Sequence, residues 1–115
     1  MKKKATITWE DFQKIDIRSG TVIQVEDFLE SHRPSYKIRV DFGPEIGILK
    51  SSAQLKNTYS KEELLGKQIL GVINFEPKQI ANFMSEFLIT GFVQENGKVN
   101  LATTDRKTKD GSILS

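Results

Sequence analysis

The chain has 115 residues, with 17 Lys and Arg against 15 Asp and Glu, one His and no Cys. These counts exclude a disulfide framework, a thiolate metal site, a cysteine nucleophile and a multi-histidine metal centre, and no cofactor is expected. The length predicts one domain over residues 1–115. The core of such a domain is small, so oligomerisation would be a natural source of additional stability.

Motifs for catalysis and for membrane insertion are missing from the sequence. The single His32 lies in a polar turn, and neither Gly-x-Ser-x-Gly nor a phosphate-loop or dinucleotide motif occurs. The basic residues at 2–4 are not followed by an apolar signal segment, and no apolar run is long enough to span a bilayer. We therefore expect a cytoplasmic, non-enzymatic protein without membrane insertion, in which residues 1–7 are flexible.

The first predicted elements are a helical turn and a strand. Residues 8–11 form a capping pattern, and Trp9 and Phe12 share one face of the turn that follows, as a lid or a dimer contact. Residues 15–26 are rich in β-branched side chains and predict a strand. Gly20 lies where the alternation changes phase, which indicates a bulge or a sharp bend.

The next two predicted strands carry the clearest pattern in the chain. Residues 36–43 alternate strictly, so that Lys37, Arg39 and Asp41 share one face and the apolar residues share the other. Residues 46–50 follow a Gly-Pro turn and predict a hairpin partner.

The second half of the chain predicts one helix and more strands. Residues 60–66 combine a capping box with a glycine stop, which is typical of a short helix. Residues 67–75 read as a buried strand, residues 86–93 as another, and residues 99–102 as a short last one. Residues 74–85 are interpreted as a loop.

This order of elements predicts an all-β protein with the OB-fold. Three strands, a short helix and then two more strands build a five-stranded, partly open barrel, here with terminal extensions of which the last ten residues look loose. A two-sheet sandwich is the competing all-β architecture, but it usually has about seven strands and needs no helix at that place. OB-folds often bind oligonucleotides or peptides, which favours a binding module over an enzyme.

The net charge of +2 is too small to argue for nucleic-acid binding, so the argument depends on where the cations lie. Four cations on the first three predicted strands could converge into one track for phosphates: Arg18, Lys37, Arg39 and Lys50. The alternative is that these side chains form ordinary ion pairs with neighbours such as Asp16 and Asp41.

Residues 74–85 combine aromatic, amide, hydroxyl and basic side chains between two buried strands. Phe75 and Phe83 could stack on unpaired bases while Lys78 neutralises a phosphate. The same apolar side chains, with Met84, could instead grip an unfolded peptide. The third possibility is that these apolar residues close the barrel end as ordinary core.

Several ordered motifs together resemble the CsaA family of the tRNA-binding domain superfamily, which includes the C-terminal domain of bacterial methionyl-tRNA synthetases. The resemblance runs from Trp9 to the C-terminus. Its motifs are residues 11–22 (DFQKIDIRSGTV), 36–43 (YKIRVDFG), 50–55 (KSSAQL), 63–67 (ELLGK), and the segment from Asn74-Phe75 to Ser85-Glu86.

The resemblance implies a homodimeric OB-fold with two binding abilities. One is a chaperone role in protein export, with unfolded precursor proteins and the translocation ATPase SecA as partners; the other is tRNA binding, with a stand-alone tRNA-binding protein as the alternative function. The implied RNA-binding residues are Arg18, Lys37, Arg39, Lys50, Asn74, Lys78 and Ser85. The candidate peptide-binding residues are Tyr36, Phe75, Phe83 and Met84. Glu76 stands where tRNA-binding relatives often have Lys, and the small charge surplus ranks peptide ahead of tRNA.

Overall fold

The computed structural model describes all 115 residues and confirms the predicted all-β barrel of the OB type. Two short helices interrupt nine strands. The elements are α1 Trp9–Gln13, β1 Ile17–Asp27, β2 Tyr36–Asp41, β3 Ile48–Ala53, α2 Lys61–Leu64, β4 Gln68–Val72, β5 Lys78–Ile80, β6 Phe83–Ser85, β7 Leu88–Ile89, β8 Gly91–Val93 and β9 Val99–Leu101.

Five strands form one antiparallel sheet in the order β3-β2-β1-β4-β7, and this sheet curls into a nearly closed barrel. The edge of β3 is met by the segment around β6. There the backbone N–H of Glu86 donates to the Lys50 carbonyl at 2.8 Å, and the N–H of Ser52 donates to the Ser85 hydroxyl at 2.9 Å. These bonds satisfy part of an edge that would otherwise be exposed.

The alternation predicted for β2 is confirmed by the core. Tyr36, Ile38 and Val40 point inward with Phe42, and all four are buried. Burial of such side chains contributes roughly 1.5–3 kcal/mol each to folding. Gly20 packs against this core, since a Cβ there would lie 2.5 Å from Val40 Cγ1. Gly20 thus allows the side chains of Val40 and Phe42 to pack closely against β1, and it is not the site of the expected bulge.

The register shift in β1 comes later, between Val22 and Gln24. It keeps Val25 on the core side opposite Ile38, while Gln24 faces outward opposite Arg39. A bulge at this point increases the local twist of the strand and helps the sheet to curl.

Residues 74–85, expected to be a loop, contain the hairpin β5–β6. Its two-residue turn has Ala81 at φ +52°, a left-handed conformation that suits a tight hairpin. The predicted strand over 86–93 is divided into two strands: β7 pairs with β4, whereas β8 pairs with β9. A Cβ at Gly91 would lie 2.6 Å from Val99, so this crossing needs glycine.

The C-terminal strap, residues 103–114, is ordered along β1, and the expectation that it is loose was wrong. Ser19 N–H donates to the Ser112 carbonyl at 3.0 Å, Gly111 N–H to the Ser19 carbonyl at 2.8 Å, and Leu114 N–H to the Ile17 carbonyl at 2.9 Å. The physical reason is that β2 pairs with β1 only from Thr21 onward. The strap fills the strand edge that β2 leaves open.

Both helices begin at the predicted capping boxes. At α2 the Ser60 hydroxyl accepts from Glu63 N–H, and the Glu63 carboxylate accepts from Ser60 N–H at 2.9 Å, which lowers the pKa of Glu63. Leu64 is buried beneath this helix, whereas α1 buries no residue. Neither helix has the length and apolar character needed to cross a membrane.

Candidate nucleic-acid interface and the adjoining groove

Three of the predicted cations lie together on the outer surface of the sheet, and we call Lys37, Arg39 and Lys50 the basic face. The pleat points Lys37 and Arg39 outward because their neighbours in β2 fill the core. The register of β2 and β3 then sets Arg39 directly opposite Lys50.

The two cations that oppose each other have no acidic partner. Neither Arg39 nor Lys50 forms an ion pair, whereas Lys37 Nζ lies 3.8 Å from Glu30 Oε1. Like charges directly opposite on neighbouring strands destabilise a sheet by a few tenths of a kcal/mol or more. An anion bound between them would remove this repulsion.

An aromatic ring supports the lysines of the basic face. The Phe83 ring centroid lies 5.5 Å from Lys37 Nζ and 5.1 Å from Lys50 Nζ, and the Phe28 ring lies 5.5 Å from Phe83. Such cation–π contacts contribute about 0.5–1 kcal/mol at partly exposed sites. Phe83 is only 8% exposed, so it holds the ammonium groups and has no free ring surface for a base.

Other cations nearby are neutralised within the protein. Asp27, at the end of β1, accepts ion pairs from Lys61 and Lys56, each at 2.9 Å. The hydrogen bond from Lys61, followed by that from Lys56, lowers the pKa of Asp27. These two ion pairs therefore attach α2, and the segment that precedes it, to the end of β1.

Two predicted RNA-binding residues have structural partners away from the basic face. Arg18 pairs with Asp16 at 2.6 Å and donates to the Gly111 carbonyl at 3.1 Å, as in the alternative of internal ion pairing. Asn74 accepts from Asp16 N–H at 3.0 Å and donates to the Lys14 carbonyl at 2.7 Å. Both side chains hold chain segments together and are not grouped with Lys37, Arg39 and Lys50.

The remaining predicted RNA-binding residues, Lys78 and Ser85, line a cavity between the β3 edge and the β5–β6 hairpin. This apolar groove has a volume of about 650 Å³, and Phe75 at its rim is 58% exposed. Its lining comprises Ser51, Ser52, Gln54, Phe75, Glu76, Lys78, Ile80, Ser85, Phe87 and Leu88.

Of the four candidate peptide-binding residues, only Phe75 lines the groove. Tyr36 is buried and its hydroxyl donates to the Tyr59 carbonyl at 2.9 Å, so that prediction is corrected: an inward position of β2 places the ring in the core. Phe83 is buried beside the lysines. Met84 is 41% exposed, but alternation places it on the opposite side of the hairpin from Phe83.

The sequence interpretation missed Leu88 and the polar residues of the β3 edge as parts of the groove. Leu88 is half exposed, beside the buried Phe87. An apolar residue at an outward position of a predicted strand was the available signal for Leu88. For Ser52 and Gln54 the sequence holds no such signal, because their place in the groove depends on the hairpin that packs beside them.

Comparisons with known proteins agree on one family. The family described as putative tRNA binding domain matches residues 17–113. The crystal structure of chaperone CsaA from Bacillus anthracis superposes with a TM-score of 0.91 at 41% identity, covering 96% of this chain and 100% of that one. The CsaA chaperone protein from Picrophilus torridus gives a TM-score of 0.89 at 47% identity, with the same coverage of 96% and 100%.

The curated relatives are much longer proteins. Methionine–tRNA ligase from Methanococcus vannielii is 36% identical over 112 residues, which is 97% of this chain but 16% of that enzyme. The enzyme from Methanocaldococcus jannaschii is 34% identical over 100 residues, or 87% of this chain and 15% of the enzyme. The chain thus corresponds to one small part of these ligases.

Proposed function

This chain is a CsaA-type member of the tRNA-binding domain family, and we propose that it is a non-catalytic module that binds tRNA through the basic face. The observation that carries the proposal is the unpaired juxtaposition of Arg39 and Lys50. Two cations held side by side without a carboxylate partner match a phosphate backbone, and phosphate neutralisation supplies much of the affinity for nucleic acids.

A salt titration of tRNA binding tests this proposal. Arg39→Ala and Lys50→Ala should each weaken binding about tenfold, since a charge-assisted hydrogen bond contributes about 1.5–3 kcal/mol. Each should also reduce the slope of log K against log salt by about one.

The matched control is Lys107→Ala on the strap, because Lys107 is exposed and, like Arg39 and Lys50, forms no ion pair. It should leave affinity and slope unchanged. Binding that is insensitive to salt, or an equal loss in the Lys107 variant, would contradict recognition through the basic face.

The second candidate function is a chaperone role in protein export, in which the apolar groove holds segments of unfolded precursor polypeptides. Exposed Phe75 beside a cavity of about 650 Å³ favours it. A large apolar side chain at the rim of a concave surface can bury apolar groups of a client. Under this proposal the protein works in the cytoplasm, with SecA as a further partner.

Binding of an unfolded polypeptide tests the chaperone proposal. Phe75→Ser should weaken the binding of a Ser-rich peptide with spaced Leu and Phe residues, because about 1.5–3 kcal/mol of apolar burial is lost. Phe92→Ser is the matched control, since Phe92 is 65% exposed and lies outside the groove. Unchanged peptide affinity in the Phe75 variant would refute the groove as the client site.

A homodimer is the third part of the proposal, supported by apolar surface at the N-terminus. Ile7 is 62% and Trp9 83% exposed, and α1 buries none of its residues within the protomer. A small barrel gains stability by covering such residues with a second copy. Light scattering should give the mass of two chains for the native protein and a shift toward one chain for Trp9→Ser, with Phe92→Ser unchanged. A native monomer would disprove this part.

A further inference from the structure

We propose that tRNA and polypeptide compete for one continuous surface, so that a protomer that holds tRNA does not hold an unfolded client at the same time. This inference rests on the proposed function and goes beyond it, because it concerns how the two binding activities regulate each other. Two features of the molecule carry it. The outer face of β3 runs from the basic face into the apolar groove, and one face of the β5–β6 hairpin contributes to both.

The outer face of β3 connects the basic face with the apolar groove. Ser52 lines the groove and is the direct cross-strand partner of Lys37. Ser52 also points to the same side of β3 as Lys50, because residues two apart in a strand share a face. Directly opposed residues lie about 5 Å apart, and residues two apart in one strand lie about 7 Å apart. The groove therefore begins one side chain away from two lysines of the basic face.

The β5–β6 hairpin joins the same two regions. Its register places four side chains on one face of the hairpin: Lys78, Ile80, Phe83 and Ser85. Phe83 packs against the lysines of the basic face, whereas the other three line the groove. The Ser85 hydroxyl lies 3.1 Å from the Ser52 hydroxyl, so the hairpin and β3 meet where the groove begins. The basic face and the groove are therefore parts of one surface.

Each ligand is too large to stay on its own part of this surface. An extended polypeptide with its side chains is about 10 Å thick, as the spacing of packed sheets shows. This thickness exceeds the separation between Ser52 and the nearest lysines. A polypeptide in the groove should therefore cover Lys37 or Lys50, and a phosphate backbone on the basic face should reach Ser52.

The groove also offers contacts to RNA. Lys78 is exposed and, like Arg39 and Lys50, forms no ion pair. Serine hydroxyls, such as those of Ser52 and Ser85, are common donors to phosphate oxygens. Phosphates and an apolar polypeptide thus have binding partners at the same place, and the ligand that binds first denies them to the other.

The test measures the dissociation constant for tRNA at increasing concentrations of the Ser-rich, uncharged peptide with spaced Leu and Phe residues. With the peptide at ten times its own dissociation constant, the constant for tRNA should rise about elevenfold, and with the peptide at a hundred times, about a hundredfold. A rise that levels off, a change of less than about twofold, or a ternary complex in sedimentation would overturn the inference, because each requires both ligands to be bound together.

Single variants supply a second readout. Phe75→Ser should raise the peptide concentration needed to displace tRNA by the same factor by which it weakens direct peptide binding. The affinity of this variant for tRNA alone should stay native. Phe92→Ser is the matched control and should change neither quantity, since Phe92 lies outside the groove. If Phe75→Ser weakens direct peptide binding but leaves displacement unchanged, the peptide acts on tRNA from outside the groove and the inference fails.

Titration of each ligand alone separates this inference from the proposed function. If the native protein binds tRNA and peptide individually but shows no competition between them, only the inference fails. If it binds only one ligand, the corresponding part of the proposed function fails, and the inference with it.

Discussion

The sheet uses cations in opposite ways along the two halves of β1. Along residues 17–20 the strand lies between β4 and the C-terminal strap, and its cation Arg18 is held by Asp16 and the Gly111 carbonyl. Along residues 24–27 the strand pairs with β2, where the outer surface of the sheet bears the basic face. The covered half uses its own cation to fix the chain, whereas the open half has only acids, and the cations Arg39 and Lys50 on the neighbouring strands β2 and β3 form no ion pair.

This difference shows that exposure on a strand does not decide what a cation does. The role of a cation depends on whether another chain segment packs on that part of the strand and supplies hydrogen-bond acceptors for it. Arg18 already donates to Asp16 and to the Gly111 carbonyl, so it has little to offer a ligand. Arg39 and Lys50 repel each other, and this repulsion is relieved only when an anion binds between them. The following substitutions separate the two halves, in order of decreasing effect on the free energy of unfolding.

Gly111→Ala should damage the covered half most. Gly111 has φ +89°, and a Cβ there would lie 2.5 Å from the Phe42 carbonyl oxygen. Left-handed strain and a backbone clash together should lower the free energy of unfolding by about 3 kcal/mol in urea titrations. Gly97→Ala is the control, because Gly97 has φ +82° and nothing within 4 Å, so only about 1 kcal/mol should be lost. Equal losses would show that the strap does not press on Phe42, the residue that follows β2.

Arg18→Ala should have the next largest effect on stability and no effect on the affinity for tRNA. The substitution leaves Asp16 and the Gly111 carbonyl without their donor, which should cost about 1–2 kcal/mol at this partly buried position. Urea unfolding and tRNA titration of the same preparation provide the comparison. A tenfold loss of tRNA affinity would instead assign Arg18 to the interface and remove the contrast between the halves.

Arg39→Glu should reverse this pattern on the open half. The new carboxylate would face Lys50 and replace repulsion by attraction, so the free energy of unfolding should rise by about 0.5 kcal/mol. Affinity for tRNA should fall by more than tenfold, since one phosphate contact is lost and a negative charge is added. Lys107→Glu controls for the change in net charge. A stability loss above about 1 kcal/mol would indicate a structural role for Arg39.

The smallest expected effect is the pH dependence contributed by Asp27. Lys61 and Lys56 lower its pKa in the folded state below 3.8, so the unfolded chain binds the proton more readily. Its contribution to stability is therefore present above the unfolded-state pKa and is lost as the pH falls through the folded-state pKa.

Urea titrations on both sides of that interval should show a slightly larger acid-induced loss for the native protein than for Asp27→Asn. The contrast between the halves of β1 would be sharpened, because Asp27 neutralises cations at the end of the open half and leaves Arg39 and Lys50 unpaired. Identical acid profiles would mean that the Asp27 pairs contribute nothing measurable.

The placement of charges changes the order of the two functions. From the sequence, the small surplus of basic residues ranked peptide ahead of tRNA. In the fold, Lys56, Lys61 and Arg18 are paired with acids, while Arg39 and Lys50 meet without one. A net charge near zero therefore includes one pair of opposed cations that form no ion pair, and this pair is the reason that tRNA binding is placed first here.

By itself, the sequence determined the barrel class, the two capped helices and the outward direction of Lys37 and Arg39. Each follows from local chemistry: the period of two in β2, and a hydroxyl three residues before a carboxylate at each helix start. Only the tertiary structure decided that Arg18 is paired, that Tyr36 and Phe83 are buried, and that the strap and the β5–β6 hairpin are ordered. These depend on contacts between residues far apart in the chain, because a strand edge or an aromatic ring gains its role only from the segment that packs against it.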